Sequence, residues 1–398
     1  MPKAGNGDGD DWRSVCNNSL TNTARFFPLR QRKHRQLGLH SELGKVTLKV
    51  DYGQDRQTGQ WVCPVQREWG LRPHPKITPA FAAKLSFTVT ATGSYEEAAQ
   101  VASQWAETID DSTLHSLVQR MGERAQEQRL NRAAQPPAER QPQRPASALA
   151  VLMVDGWQVR HRGQGWGRKR SKELHVEWHE MKTGVFYLQE QSLQTQSGRG
   201  LLADKVVVSL VGEPTELGQR LHWEALRGGL ARARQQLFVG DGAAWIWNLK
   251  KDRWDKAVGL LDFYHASQHL WNVGRTVAGE QEARLMQWMQ PRLHRLRHGQ
   301  EKKVCSEIAA LKKTRGAAGD LMAREQNYFA NHLQRMNYQR IARRGWPIGS
   351  GAVESACRQK QCRFKRPGQF WTPKGLRNLL ALDEARRNHH WDQLWSPN

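Results

Sequence analysis

Three acidic residues sit where the chain could put them to chemical use. Asp155 follows the apolar run Leu149–Val154 and precedes Gly156, while Asp241 follows Leu237–Val239 and is flanked by Gly240 and Gly242. Both are therefore expected at or near the ends of buried strands, with glycines letting the backbone turn tightly beside them. Glu354 lies in "PIGSGAVESACRQKQCRFKR", in the first turn of a helix whose expected cap is Ser350. Taken singly, each has an ordinary explanation: a strand-end Asp before Gly as a turn residue, a first-turn Glu as a complement to the helix dipole. Together they can do more. Two divalent cations held ~3.5–4 Å apart for phosphoryl transfer need carboxylates converging from separate elements. Hard oxygen donors suit Mg²⁺, which keeps water and substrate phosphate in its remaining positions.

A lone carboxylate on so basic a helix then has a reason. On a 3.6-residue period Arg358, Gln361 and Lys365 share the face of Glu354, where cations could follow a phosphate backbone towards the metals. Arg363 and Arg366 extend the same basic stretch. Asp262 and His265, in "LLDFYHASQHLW", form a further pair where strand passes into helix. His265 could donate to a phosphate or hold a neighbouring side chain, or the two could simply be a hydrogen-bonded capping pair.

The totals point the same way. The 398 residues can bury at least one sizeable core and are expected to form two or more domains. With 61 Lys and Arg against 38 Asp and Glu, the net charge of +23 favours a polyanionic partner, of which nucleic acid is the usual one. A membrane is the competing polyanion. The sequence has no apolar run of the roughly eighteen residues a span needs, and "MPKAGNGDGDDWR" is too polar for a signal peptide. Five scattered cysteines make a poor disulfide scaffold, so a reducing cytoplasm is the expected compartment. Of the 17 tryptophans, Trp245, Trp247 and Trp271 could stack on bases, with core packing the commoner job.

The elements that would position these residues can be read in order. Residues 1–75 are turn-rich and irregular, with a possible strand at "KVTLKVDY". Over 76–125 the pattern is helical: Ser94 and Glu97 form a capping box, and Asp111 can cap "STLHSLVQRMGERA". That pair fits a helix-turn-helix or a plain helical hairpin equally well. A Pro-, Gln- and Arg-rich linker is expected over 126–147. Residues 148–275 then read as "ALAVLMVDGWQV", a strand; "ELHVEWHEMKTGVFYLQE", a hairpin turning near Lys182–Gly184; "KVVVSLVG", a third strand; and two further strands alternating with helices. Residues 276–345 are helical and polar on one side, and 346–398 carry the Glu354 helix and a last helix. Three strands followed by helix, strand, helix, strand, helix is the order of a ribonuclease H-like α/β domain, a mixed five-stranded sheet flanked by helices.

The blocks "GDGAAWIWNL", "LLDFYHASQHLW" and "PIGSGAVESACRQKQCRFKRPGQFW" resemble the signature blocks of bacterial insertion-sequence transposases of the ISKra type, which have a ribonuclease H-like DDE core. The ending "ALDEARRNHHWDQLW" is similar as well, so the resemblance covers about residues 148–398 and, more loosely, 60–122. It implies that Asp155, Asp241 and Glu354 bind two Mg²⁺ or Mn²⁺ ions, that Asp262 and His265 are the family's Asp-x-x-His element, and that 276–345 is a helical insertion. It also implies that "YEEAAQVASQWAETIDDSTLHSLVQRM" is a helix-turn-helix on the double-stranded DNA of the element's ends. The implied activity is cutting those ends and joining them to target DNA, in a homodimer or larger complex near the bacterial nucleoid. One departure stands out: Cys63 is followed by Pro64, Val65 and Gln66, so the Cys-pair zinc half-site of many relatives is missing. Two rivals remain: a DNA-binding protein without chemistry, and a structure-selective nuclease on the same fold.

Overall fold

The computed structural model describes residues 29–135, except 70, 72–75 and 107, and residues 149–395, except 168–174, 198–199 and 313–314. Two compact units emerge, one of residues 1–121 with 392–398, the other of residues 122–391.

In the first unit the expected strand at "KVTLKVDY" is part of a longer one. It belongs to an antiparallel sheet of β1 (Leu29–Ser41), β2 (Gly44–Asp55) and β3 (Trp61–Val62). Strand β1 is unexpected because its first half, Arg30–His34, is polar, cationic and exposed, and carries none of the apolar alternation that marks a strand. Its second half supplies Leu37 and Leu39, which pack with Val50 of β2 and with Cys63 and Val65 at the start of the short helix α1 (Pro64–Glu68). Helices α2 (Pro79–Ala91), α3 (Tyr95–Ala102) and α4 (Asp111–Ala134) follow. Half of the expected capping box forms: Ser94 Oγ accepts from Glu97 N at 3.0 Å, while the Glu97 carboxylate takes the N–H of Gly93, one residue before the cap. The next cap is displaced by one residue. Asp110, not Asp111, accepts from Thr113 N, at 2.7 Å. Helix α4 is 24 residues long. It runs past residue 126 because Glu, Arg, Ala and Gln continue to favour helix until Pro136 and Pro137 approach.

The second unit is built on β4 (Leu149–Arg162), β5 (Val176–Leu188), β8 (Val206–Val211), β9 (Gln235–Gly240) and β10 (Val258–Leu261). A small ribbon of β6 (Ser192–Gln194) and β7 (Gly200–Leu202) stands apart from the main sheet. The sheet order is β10-β9-β4-β5-β8, with β4, β9 and β10 parallel and β5 antiparallel to both its neighbours. This mixed five-stranded sheet flanked by helices is compatible with a ribonuclease H-like core. Residues Leu149–Val154 are all buried, as a strand covered on both faces requires.

One expected turn is absent. Lys182–Gly184 lies inside β5, opposite Val154–Gly156, and the hairpin turns instead between β4 and β5. Gly184 is there for closeness, not for bending: a Cβ would come 2.6 Å from Leu221 of helix α5 (Pro214–Arg227), which packs on β5 and β8. After β9 and β10 come α6 (Ala244–Arg253) and α7 (Phe263–Ala278). Helices α8 (Glu282–Arg297), α9 (Glu301–Ala309), α10 (Ala317–His332) and α11 (Tyr338–Ala342) fill most of the span to α12 (Gly351–Phe364) and α13 (Pro373–Arg387). The free edge of β8 is covered from the last helix: Glu384 accepts from Ser209 N at 2.6 Å, and Asn388 bonds both backbone groups of Val207 at 2.9 Å. Among the described residues no helix is long and apolar enough to cross a membrane.

Candidate active site

Register does the first part of the assembly. Strands β4 and β9 pair in parallel as far as Met153 opposite Val239, which sets Asp155 and Asp241, each two residues on, level with one another. Strands β9 and β10 pair as far as Gly240 opposite Leu261, and Asp262 N then donates to Gly240 O at 2.9 Å. Three acids thus stand at the same height where the parallel strands give out, the customary place for a site in such sheets. Asp155 departs from expectation in one respect. It is not at the end of its strand, because β4 runs on to Arg162 against β5, but it is at the end of the parallel pairing with β9.

Each acid is held differently. Asp155 Oδ1 accepts from Gly156 N at 2.7 Å. Burial pushes its pKa up, against that hydrogen bond and with the help of the like charge on Asp241. Asp241 Oδ1 accepts from Ala243 N at 2.8 Å, and Tyr328 of α10 donates to the Asp241 carbonyl at 2.9 Å. Between them Gly242 has φ of +118° and lies against the Tyr328 ring, where a Cβ would come within 2.7 Å, so no other residue fits there without strain.

Asp262 is fully buried and caps α7, its Oδ1 accepting from His265 N at 2.8 Å while Oδ2 takes a short hydrogen bond from Ser350 N. Burial opposes its ionisation, but those bonds outweigh the penalty and hold its pKa below the usual carboxylate range. His265 is therefore both the capping partner and more. Its Nδ1 lies 3.6 Å from Asp262 Oδ1, an ion-pair distance and too long for a hydrogen bond. The Asp262 carboxylate beside it, less the cost of burial and reinforced by Asp241 and Asp155, raises its pKa to about 9. A protonated imidazolium among four carboxylates occupies the electrostatic place of a cation.

Glu354 arrives from α12. Ser350 begins that helix, but its hydroxyl does not cap a backbone N–H as expected; it donates to Glu354 Oε1 at 2.9 Å. Donor atoms of Asp262, His265 and Glu354 lie within 4.8 Å of one another. One turn beyond Glu354 the buried Cys357 meets Asp155, so α12 faces the strand acids with both residues. The converging trio is thus Asp262, His265 and Glu354, with Asp155 and Asp241 close enough to act on His265 electrostatically. The donor set fits a hard divalent ion: four carboxylates, three of them without a cationic side chain in salt-bridge contact among the described residues.

The expected phosphate-tracking cations separate. Arg358 and Arg366 are exposed and Lys365 is half-buried, whereas Arg363 is buried against Phe364 and Trp371, its guanidinium 5.5 Å from the Trp371 ring centre. Arg363 is a packing residue. Five residues, about 140° of helical turn, separate it from the exposed Arg358 and bring it to the inner face of the helix. Trp247 is likewise buried, beside Phe238, while Trp245 and Trp271 are half-buried. Sequence reasoning passed over Ser350 as a partner of Glu354, Cys357 and Tyr328. The spacing from Glu354 to Cys357 was a legible signal; nothing local marks Tyr328, which reaches Asp241 from 87 residues away.

No protein-family model matches the chain, and no curated protein does. Among solved structures the chain resembles the Drosophila P element transposase strand transfer complex, with 10% identity, a TM-score of 0.38, and coverage of 78% of this chain and 92% of that one. So distant a likeness carries no inference about activity.

Proposed function

We propose that this chain is a DNA transposase, one that binds the ends of its insertion sequence, cleaves them and joins them to target DNA by metal-dependent phosphoryl transfer. The observation that supports it most is the meeting of strand-end and helix-start acids, with the donor atoms of Asp262, His265 and Glu354 inside 4.8 Å and Asp155 and Asp241 beside them. Asp155, Asp241 and Glu354 would hold two Mg²⁺ or Mn²⁺ ions. When bound, such ions activate the attacking water or 3′-hydroxyl and stabilise the leaving oxygen. Asp262 anchors the segment before α12 through Ser350, and Ser350 in turn orients Glu354. His265 balances the carboxylates when no metal is bound. The +23 charge and the exposed Arg358 and Arg366 suit double-stranded DNA, and pairing two element ends calls for at least two copies of the chain.

The test uses purified protein, a duplex carrying the element's end with flanking DNA, and Mg²⁺, with nicks mapped by sequencing. Nicks at the element boundary that need Mg²⁺, and insertion of precut ends into plasmid, are expected. Glu354→Gln should bind the duplex as wild type does while nicking falls by at least about 10³-fold, the scale of losing a group that acts only in the transition state. Nicking without joining would leave a nuclease; tight binding with no nicking in the wild type would leave a DNA-binding protein without chemistry.

A further inference from the structure

Beyond the end of the five-stranded sheet, β4 and β5 continue as a two-stranded ribbon in which Arg160 pairs directly with Trp178. Trp178 is 56% exposed, among the most exposed large apolar side chains in the described residues. Three features around it are cationic or aromatic. Lys365 Nζ lies 5.8 Å from its ring centre and the Arg160 guanidinium 5.9 Å. Arg160 also lies 5.0 Å from the ring of Phe370 and bonds the carbonyl of Arg366, while Trp371 N donates to Arg160 O at 3.0 Å. The chain after α12 is therefore fastened to the ribbon, and Trp178 stands on a supported surface. Both cation contacts are near the ~6 Å limit of such interactions, so the indole face is not sealed.

We infer that Trp178, bracketed by Arg160 and Lys365, is a stacking platform for an unpaired DNA base near the far end of the helix that carries Glu354. An indole face receives a base only where that base has left its pair, because a duplex presents edges and phosphates instead. The surrounding charge suits phosphates: Lys365 and Arg366 follow directly on the helix that carries Glu354. From Glu354 to Lys365 the α-helical rise gives about 16 Å. At roughly 3.4 Å per nucleotide along one strand, the platform meets DNA about five nucleotides from the acids. The placement relative to a cut rests on the function proposed above; the binding itself does not.

The experiment measures binding in chelator by fluorescence anisotropy, with a labelled single-stranded oligonucleotide and the matching blunt duplex. Trp178→Ala should weaken single-strand binding roughly 5- to 100-fold, as loss of one base–aromatic stack does, and leave duplex binding within about twofold. Trp178→Phe, which keeps a stacking face, should restore most of the loss. Lys365→Gln gives a second variant with little risk to folding, and should flatten the salt dependence of single-strand binding by about 0.7 in slope. Equal losses on both oligonucleotides, or no loss with an unchanged melting temperature, overturn the inference. So does a Trp178→Ala protein that, free of DNA, has come apart from an oligomer, since the patch would then be a face between copies. Because no cleavage is read, the platform and the catalytic assignment fail separately: wild-type nicking with normal Trp178→Ala binding sinks only the platform.

Discussion

Helix α12 shows one residue type doing two opposite jobs. On its inner face Lys360 is fully buried, its Nζ 2.7 Å from Asp383 of α13, and Arg363 is 5% exposed over Trp371. On its outer face and just beyond its end, Arg358 and Arg366 meet solvent. The inner cations are spent on architecture: Lys360 ties α12 to Asp383 of α13, a carboxylate that Arg386 and Arg387 of the same helix also hold. The outer ones stay at the surface. Glu354 lies between the two sets, half-buried, and is oriented by Ser350 and not by either cation group. The difference teaches that a basic helix cannot be read as a binding surface from charge alone. Only the neighbour opposite each position decides.

The largest effect expected from breaking this division is at Lys360. Lys360→Met removes one partner of a buried ion pair and should cost about 3 kcal/mol in chemical denaturation, because Asp383 loses its fully buried counter-charge and keeps only Arg386 and Arg387. Burial opposes ionisation of Asp383, but Lys360 and Arg387 overcome it and bring its pKa down to about 2. A depressed carboxylate pKa means stability that is fully present above about 3.8 and lost as the pH falls towards about 2, so the wild type should lose stability in that window and Lys360→Met, which keeps Arg386 and Arg387 on Asp383, should lose less. An acid-unfolding series on both proteins checks it.

A smaller effect belongs to the acid end of the helix. His265, with its pKa raised to about 9, contributes stability that is fully present below about 6.5 and fades as the pH rises through about 9. His265→Asn should therefore lower stability by about 1–2 kcal/mol at pH 6 and by much less at pH 10. A divalent ion entering the pocket competes with the same proton. Calorimetry at pH 7.5 in two buffers of different ionisation enthalpy should then show proton release, up to about one per chain, on adding Mg²⁺. If Mg²⁺ binds and no proton leaves, His265 is not the charge that the ion replaces. Smaller again is Arg363→Ala, expected to cost about 1 kcal/mol through the lost stack on Trp371 while leaving the salt dependence of DNA binding unchanged.

What the sequence disclosed follows the same division between local and distant causes. The runs Leu149–Val154 and Leu237–Val239 declare buried strands because burial on both faces demands unbroken apolar side chains, and the acids that follow them are visible at once. Register is not visible. That Asp155, Asp241 and Asp262 stand level depends on Met153 meeting Val239 and Gly240 meeting Leu261, which no local signal encodes. Gly184 was misread as a turn because close packing against Leu221 and turning both call for glycine. Strand β1 escaped notice because its first half is cationic and exposed, with nothing to mark a buried face. Arg363 and Arg358 are the same residue five positions apart, and the ring of Trp371, supplied from beyond the helix, is what separates them.

The finest test of the comparison is Arg358. It is exposed on α12, one turn beyond Glu354, and no ion-pair partner was found for it among the described residues. Arg358→Ala should change stability by no more than about 0.5 kcal/mol, as is usual for a surface position away from caps and networks. Its effect should appear instead in duplex binding measured across a salt series, where losing one phosphate contact lowers the slope of log affinity against log salt by about 1. The loss should be the same for any duplex sequence, since a phosphate contact positions DNA without reading it. Arg363→Ala, run beside it, should give the reverse pattern of lower stability with an unaltered slope. If the two variants prove alike in both measurements, the inner and outer faces of α12 do not divide their work as described, and the exposed cations lose their claim on DNA.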